Sequence, residues 1–333
     1  MAPHVAIVIL NWRSPQETLE CLASLHTMQH QSWHAYIVDN EASAESREAL
    51  AVLVGARVSY IESPINRGYT GGCNLGLQQA LQDGADFVWL LNNDTVVDPA
   101  CLGHLLVAAE QHPGTAVFSP LVRYHDQPER LQFLGALIDR RAEEVLYPDT
   151  LEQFLTWQAQ APERVVVWGT AMLIRAATAR QIGGLDDRLF AYWEDTDYCV
   201  RVQATGAHCR LVPDAAILHR TAVPGTGTRP RPPHFFYFMV RNEWLFWARH
   251  GQRPGWRLRA RVRLLGKAIG ERTRCLRLQP GHTAVADACL NGLWHAWMGI
   301  TGPYVPGHRP MPAPLRQLLA ALPWWAQHWL ANR

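Results

Sequence analysis

The sequence predicts an α/β fold: a Rossmann-like, mostly parallel sheet flanked by helices, followed by a helical C-terminal extension rich in Arg and Trp. Three observations carry that prediction. Up to about residue 120, short runs that are apolar on both faces alternate with longer amphipathic segments, the pattern of a parallel sheet covered on both sides. Several of the helical segments carry their own start or stop residues. A Pro/Gly-rich breaker, PGTGTRPRPP at 224–233, then ends the alternation, and the chain turns aromatic and basic.

The elements follow in order. HVAIVIL reads as the first strand, and SPQETLECLASL as a helix with Ser14 as cap, Pro15 at its first position and Glu17 closing a capping box. AYIVDN and SAESREALAVLV give a second strand and helix, and RVSYIES a third strand. GGCNLGLQQALQDG is a helix ending at Gly84. DFVWLL is the fourth strand and DPACLGHLLVAAEQH the next helix. The stretch 120–165 is weaker, with short strand-like pieces and a polar insertion. RVVVWGTAMLIRAA then restores one long strand, EDTDYCVRVQATG is a helix closed by Gly206, and HCRLVP is a last strand. Beyond the breaker, HFFYFMVRNEWLFWARH is helical. Leu258, Val262, Leu265, Ile269 and Leu276 keep helical spacing through the basic stretch after it.

Composition limits the function classes. A chain of 333 residues with 48% hydrophobic residues and 14 Trp suits one large domain or a domain with an extension. Seven Cys without a CxxC pair form neither a zinc framework nor a disulfide scaffold, which fits a reducing, cytoplasmic setting. The N-terminal run reads as a strand rather than a signal peptide, and no segment reads as a transmembrane helix. Between Arg249 and Arg277 stand nine Arg and one Lys against one Glu, a net of +9 in a chain whose total is +2. Such a basic face meets an anionic partner, either membrane phospholipid or a phosphorylated acceptor; no nucleic-acid motif accompanies it.

Ligands of open α/β sheets bind beyond the carboxyl ends of the strands. Those ends are Asn11, Asp39-Asn40, the loop Asn66 to Gly72, and Asn92-Asn93-Asp94. One Asn/Asp turn is ordinary turn chemistry, but four polar or glycine-rich strand ends along one edge point to a site. NRGYTGGCNLG, with Asn66, Arg67, Gly68, Gly72 and Asn74, runs into a helix and can cradle phosphate on its N-terminus. It matches neither GxGxxG nor the Walker pattern, which disfavours a dinucleotide enzyme or a phosphate-loop ATPase. Asp39 suits either a helix cap or a hydrogen bond from the imide of uracil or thymine. In YWEDTD, the aromatic face of Trp193 suits a sugar ring. The adjacent Glu194 and Asp195 point in different directions from a helix start, so only one of them can act as a base. Asp197 reads as a helix-start carboxylate.

Together, VAIVILNW, IVDN, NRGYTGGCNLG, LLNNDTVVDP, GTAMLIR and GGLDDRLFAYWEDTDYCVRVQATGAHCRLVPDAAILH resemble glycosyltransferase family 2, in its bacterial rhamnosyltransferase-like branch, over residues 4–220. The resemblance implies a GT-A catalytic domain over 1–223, with nucleotide-sugar binding over about 1–120 and the acceptor and catalytic part over about 160–223; residues 224–333 are then the extension. It implies a dTDP- or UDP-linked sugar donor, with dTDP-L-rhamnose foremost. Inversion at the anomeric carbon goes with it, as does a glycan or polyprenyl-diphosphate-linked acceptor met at the inner membrane surface. Asn92-Asn93-Asp94 stands where the family carries an Asp-x-Asp element, with Asn92 replacing the first carboxylate; Asn92 is then a substrate-binding residue that contacts ribose or phosphate, and Asn93 is counted with it. Asp94 is then the main acidic ligand of a divalent cation, Mg²⁺ or Mn²⁺, and His219 a further ligand. Asp195 is the favoured base and Glu194 a ligand of a substrate hydroxyl. Competing readings are a nucleotidyltransferase, which would need a basic glycine-rich loop near the N-terminus, and a non-catalytic sugar-binding module, which has no use for this set of acids.

Overall fold

Seven consecutive buried residues, Val5–Asn11, form β1, the central strand of the N-terminal half. In the computed structural model, which describes residues 2–221, 231–252, 265–266, 269–270 and 283–320, β1 lies between β2 (Trp33–Asn40) and β4 (Phe87–Asn92), both parallel to it. β3 (Val58–Ser63) adds to β2, also parallel. The links are α1 (Pro15–Leu25), α2 (Ala44–Ala51) and α3 (Gly68–Gln82). The order β3-β2-β1-β4 is that of a nucleotide-binding half-sheet.

Past β4 the sheet changes direction. β11 (Ala171–Arg175) is antiparallel both to β4 and to β6 (Thr115–Tyr124). β12 (His208–His219) is parallel to β6, and β5 (Thr95–Val97) is antiparallel to β12. With β7 (Leu131–Phe133) paired to β6, nine strands form the main sheet. A separate three-stranded sheet has the order β10 (Val165–Val166), β8 (Ala136–Asp139), β9 (Glu144–Leu146). The remaining helices of this region are α4 (Cys101–Gln111), α5 (Leu151–Gln160), α6 (Ala176–Ile182) and α7 (Glu194–Gln203). The main core is apolar from both sides, with Ile7, Ile9, Ile37, Trp89 and Leu173 from the strands meeting Cys21, Leu25, Leu102 and Leu105 from the helices.

Two expectations are corrected. RVVVWGTAMLIRAA is two strands, because Val165–Val166 pairs with β8 in the small sheet while Ala171–Arg175 pairs with β4 and β6 in the large one. The chain changes sheets at Trp168-Gly169-Thr170. The Ser14 capping box does not form, since the Ser14 hydroxyl turns back to the Trp12 carbonyl (3.3 Å). The box occurs at α2, where Ser43 and Ser46 satisfy each other's backbone N–H.

The chain divides into two units, one of residues 1–139, 145–187 and 194–228, the other of 140–144, 188–193 and 229–333. In the second, α8 (Pro233–His250), α9 (Thr283–Met298) and α10 (Ala313–Ala320) carry an apolar cluster of Val240, Trp244, Leu290, Leu293, Ala296 and Leu319. α8 and α9 approach closely at Gly292, where a Cβ would stand 2.5 Å from the Tyr237 carbonyl oxygen. Phe190, Tyr192 and Trp193 all adopt left-handed backbone (φ 65°, 68° and 73°), at about 1–3 kcal/mol each. Of the basic segment, residues 253–264 and 271–282 lie outside the described residues, and with them the predicted positions 258, 262 and 276. Among the described residues, no helix is long and apolar enough to cross a membrane.

Candidate active site

The register makes the strand ends level: Asn11 pairs with Asp39, and Leu10 with Asn92. The side chains at this edge bond to one another. Asn11 Nδ2 donates to Asp39 Oδ1 (2.7 Å), and Thr18 Oγ1 donates to Asn11 Oδ1 (3.0 Å) while accepting from Asn93 Nδ2 (3.0 Å). Asp39 is buried, and its other oxygen accepts from Ser46 Oγ (2.6 Å) and Tyr60 OH (2.7 Å). Burial and the bond to Asp39 push the Tyr60 hydroxyl above its ordinary pKa, so it stays a donor. A carboxylate has about four acceptor positions; the described residues fill three of them here, two on Oδ2 and one on Oδ1.

The loop before α3 is tied to the end of β2. Asn40 Oδ1 accepts from Arg67 N (2.8 Å), and Asn40 Nδ2 donates to Asn66 Oδ1 and Gly68 O (3.1 Å each). Asn66 Oδ1 also accepts from Gly68 N (2.8 Å), and Gly68 opens α3 at φ 73°. α3 then rides close on β1, because a Cβ at Gly72 would collide with Leu10 Cδ1 and one at Gly76 would stand 2.5 Å from Val8 Cγ1. Asn74 faces elsewhere. Its amide holds Leu185 N and O (2.8 and 2.9 Å) and Asp187 Oδ1 (2.6 Å), clamping the segment behind α6.

Asp94 and His219 meet at the ends of β4 and β12, with His219 Nε2 3.0 Å from Asp94 Oδ1. His219 Nδ1 donates to Gln132 Oε1 (2.7 Å), which sets the ring so that Nε2 faces Asp94. Among the described residues, Asn92 Oδ1 is buried without a hydrogen-bond partner, and the buried Asp94 Oδ1 has only His219 Nε2 beside it. Donors about 3.0 Å apart match neighbouring corners of an octahedron with bonds of about 2.1 Å. Among the described residues no three His, Cys, Asp or Glu side chains converge as a metal cluster. The set therefore suits a hard cation that takes one or two protein ligands and completes its shell with phosphate and water; the residues fit such an ion.

At the start of α7, Asp195 Oδ2 accepts from Gly169 N (2.9 Å), and Oδ1 accepts from Thr196 N (2.6 Å) and Thr196 Oγ1 (3.2 Å). Burial raises its pKa, against the lowering effect of those bonds. The next residue after Gly169 reaches the other cluster, since Thr170 O accepts from Asn92 N (3.0 Å). Asp195 and Asp94 thus belong to one sheet edge, joined through Gly169, Thr170 and Asn92. Glu194 is largely buried beside it. Asp197 pairs with Arg201 (2.8 Å), as a helix-start acid four residues from an arginine can. Trp193 belongs to the second unit, where its ring packs on Phe246 at 5.1 Å between centroids. Thr18, Ser46, Tyr60 and Gln132 went unnoticed in the sequence, as isolated polar residues in helical or strand-like runs.

Residues 5–183 match the family described as Glycosyl transferase family 2. The chain belongs to that family. It is a glycosyltransferase, and its fold is of the GT-A type that family 2 uses. The galactofuranosyltransferase GlfT1 of Mycobacterium tuberculosis is 33% identical over 225 residues, 66% of this chain and 71% of that protein. The N-acetylglucosaminyl-diphospho-decaprenol L-rhamnosyltransferase of the same organism is 29% identical over 236 residues, 65% and 76% of the two chains. Among solved structures, the mannosyltransferase PcManGT from Pyrobaculum calidifontis, in complex with GDP-Man and Mn²⁺, aligns over 99% of this chain and 84% of its own, with a TM-score of 0.52 and 13% identity. That likeness is one of fold.

Proposed function

We propose that this family 2 enzyme is an inverting glycosyltransferase. It moves a sugar, L-rhamnose from dTDP-L-rhamnose foremost, to a hydroxyl of a glycan or polyprenyl-diphosphate-linked glycan. The reading is supported by the link from Asp195 through Gly169 and Thr170 to Asn92, which ties an acid of raised pKa to the strand end that carries Asn92 and Asp94. The relative named as an L-rhamnosyltransferase supports the sugar, and its decaprenol-linked acceptor supports a lipid carrier. The relatives named as galactofuranosyltransferases support galactofuranose as a second donor. A lipid carrier also suits peripheral contact between the +9 segment and an anionic membrane on its cytoplasmic face.

In the donor half, Asp39 offers its remaining lone pair to the imide N–H of thymine or uracil. Arg67, Gly68 and Gly72 bring the start of α3 to the diphosphate, where backbone N–H groups and the helix dipole favour negative charge. Asn11 and Asn93 brace this edge, and Asn66 sets the loop. Asp94 and His219, with Asn92, would hold Mg²⁺ or Mn²⁺. A bound divalent ion there supplies charge neutralisation for the leaving diphosphate. On the acceptor side, Asp195 takes the proton of the attacking hydroxyl as its oxygen bonds to the anomeric carbon and the diphosphate departs from the opposite face. Glu194 binds a substrate hydroxyl.

The test is Asp195→Asn, assayed by nucleoside diphosphate release from dTDP-L-rhamnose and UDP-galactofuranose and by donor binding. Loss of about 10²–10⁴-fold in kcat with donor affinity kept is expected. A variant that retains most of its transfer rate would refute the base assignment.

A further inference from the structure

The turn directly before Glu194 is held by side-chain hydrogen bonds to its backbone carbonyls. Two adjacent side chains of α8, Arg241 and Asn242, are fully buried and aimed at it. Arg241 Nη2 donates to the carbonyls of Arg188 (3.1 Å) and Leu189 (2.7 Å), and Nη1 to that of Gly302 (2.5 Å). Asn242 Nδ2 donates to the carbonyls of Leu189 (2.9 Å), Ala191 (2.7 Å) and Tyr192 (2.8 Å). Arg241 Nε donates to Asn242 Oδ1 (2.9 Å), which fixes which way the amide faces. Four of the six carbonyls in 188–193 therefore end on two side chains.

The same six residues carry the strained backbone. Phe190, Tyr192 and Trp193 are left-handed and bulky, and each lays its ring on α8: Phe190 on Phe238 at 5.6 Å, Tyr192 on Phe235 at 5.2 Å, Trp193 on Phe246 at 5.1 Å. The carbonyl bonds fix the backbone itself, which runs by one peptide bond from Trp193 into Glu194 and then Asp195.

We infer that Arg241 and Asn242 are positioning residues for the reaction. By holding the carbonyls of Arg188, Leu189, Ala191 and Tyr192 they keep the strained aromatic turn in the one conformation that delivers Glu194 and Asp195 to their working places. The inference rests on the reading of Asp195 as the base. Neither residue touches substrate in this assignment. Their loss should therefore fall on kcat, not on the donor half, whose binding edge is built from β1, β2 and α3.

Asn242→Ala and the milder Arg241→Lys, which keeps the charge but not the planar fork, are assayed by nucleoside diphosphate release from dTDP-L-rhamnose and UDP-galactofuranose, with donor Kd measured separately on the folded protein. A kcat fall of about a hundredfold with Kd within about twofold is expected, since a displacement of about 1 Å at the chemistry costs that much. A folded variant with kcat near wild type overturns the inference, as does a parallel loss of kcat and donor binding, which would mark a merely structural role. Should neither variant fold, Asn242→Asp, isosteric but without the amide donor, is read by the same split of kcat against donor Kd. If Asp195→Asn leaves kcat intact, the base reading has failed; if only Asp195→Asn is impaired, the clamp alone has failed.

Discussion

Replacing Gly76 by Ala should cost stability, whereas the same replacement at Gly103 should add it. Both glycines sit inside helices, α3 and α4, and neither has a left-handed backbone. Helix propensity therefore favours Ala at both by about 1 kcal/mol. The surroundings differ. At Gly103 an added Cβ meets nothing within 4 Å. At Gly76 it would stand 2.5 Å from Val8 Cγ1 and 3.1 Å from Val38 Cγ2. Both valines are buried on central strands, and β-branching restricts the rotamers open to them. Overpacking of this kind costs about 1–3 kcal/mol, which at Gly76 outweighs or cancels the propensity gain. The two variants should thus differ by about 1–3 kcal/mol, or about 1–4 °C in Tm. Thermal unfolding of both, side by side, makes the measurement. Relief of the clash must also lift α3 from the sheet and shift Arg67 and Gly68 at its start, so donor KM should rise in Gly76→Ala alone. If Gly76→Ala melts at or above Gly103→Ala, the close approach of α3 to the sheet has been misjudged.

Three further outcomes are expected. Burial raises the pKa of Asp195, and the base must be ionised to work, so kcat should fall as pH drops through a value above the ordinary carboxylate range of about 4; a pH profile with its acid limb at or below that range would contradict this. Gln132→Leu removes the acceptor that orients His219 and should weaken Mn²⁺ affinity by about 10–100-fold, as titrated by paramagnetic resonance or calorimetry without any donor; unchanged affinity would detach His219 from the metal. Asn74→Ala breaks three hydrogen bonds to Leu185 and Asp187 and should lower stability by about 1–3 kcal/mol, with donor Kd hardly altered; a large rise in Kd would make Asn74 a ligand of the nucleotide after all.

Much of the sheet was legible because each N-terminal strand is a local event. VAIVILN and FVWLLN are short, apolar and bounded by polar residues, so their extent and the level at which they end follow from a few neighbours. Residues 164–177 resisted the same reading. Their uniformly apolar run hides a break at Gly169, and what divides it is the choice of partner strand, β8 or β4, made far along the chain. The site shows the same contrast. Asn92 and Asp94 announce themselves as polar residues at the end of an apolar run. Gln132 lies 87 residues from His219, and Gly169 lies 26 from Asp195; no spacing rule encodes either bond. Ser14 and Ser43 both stand at helix starts, and the direction of each hydroxyl separates them: one turns back to the Trp12 carbonyl, the other accepts from Ser46 N.

The antiparallel union of β4 and β11 has a consequence for how such an enzyme diverges. Leu91 faces Ala171, and the last rung beyond that pair is the amide of Asn92 on the carbonyl of Thr170. These are main-chain groups, indifferent to which side chain each position carries; short of proline at 92, which has no N–H to give, no single replacement deletes the rung. A lineage can exchange every side chain that greets the sugar and still inherit the same ruler between its two reactive poles.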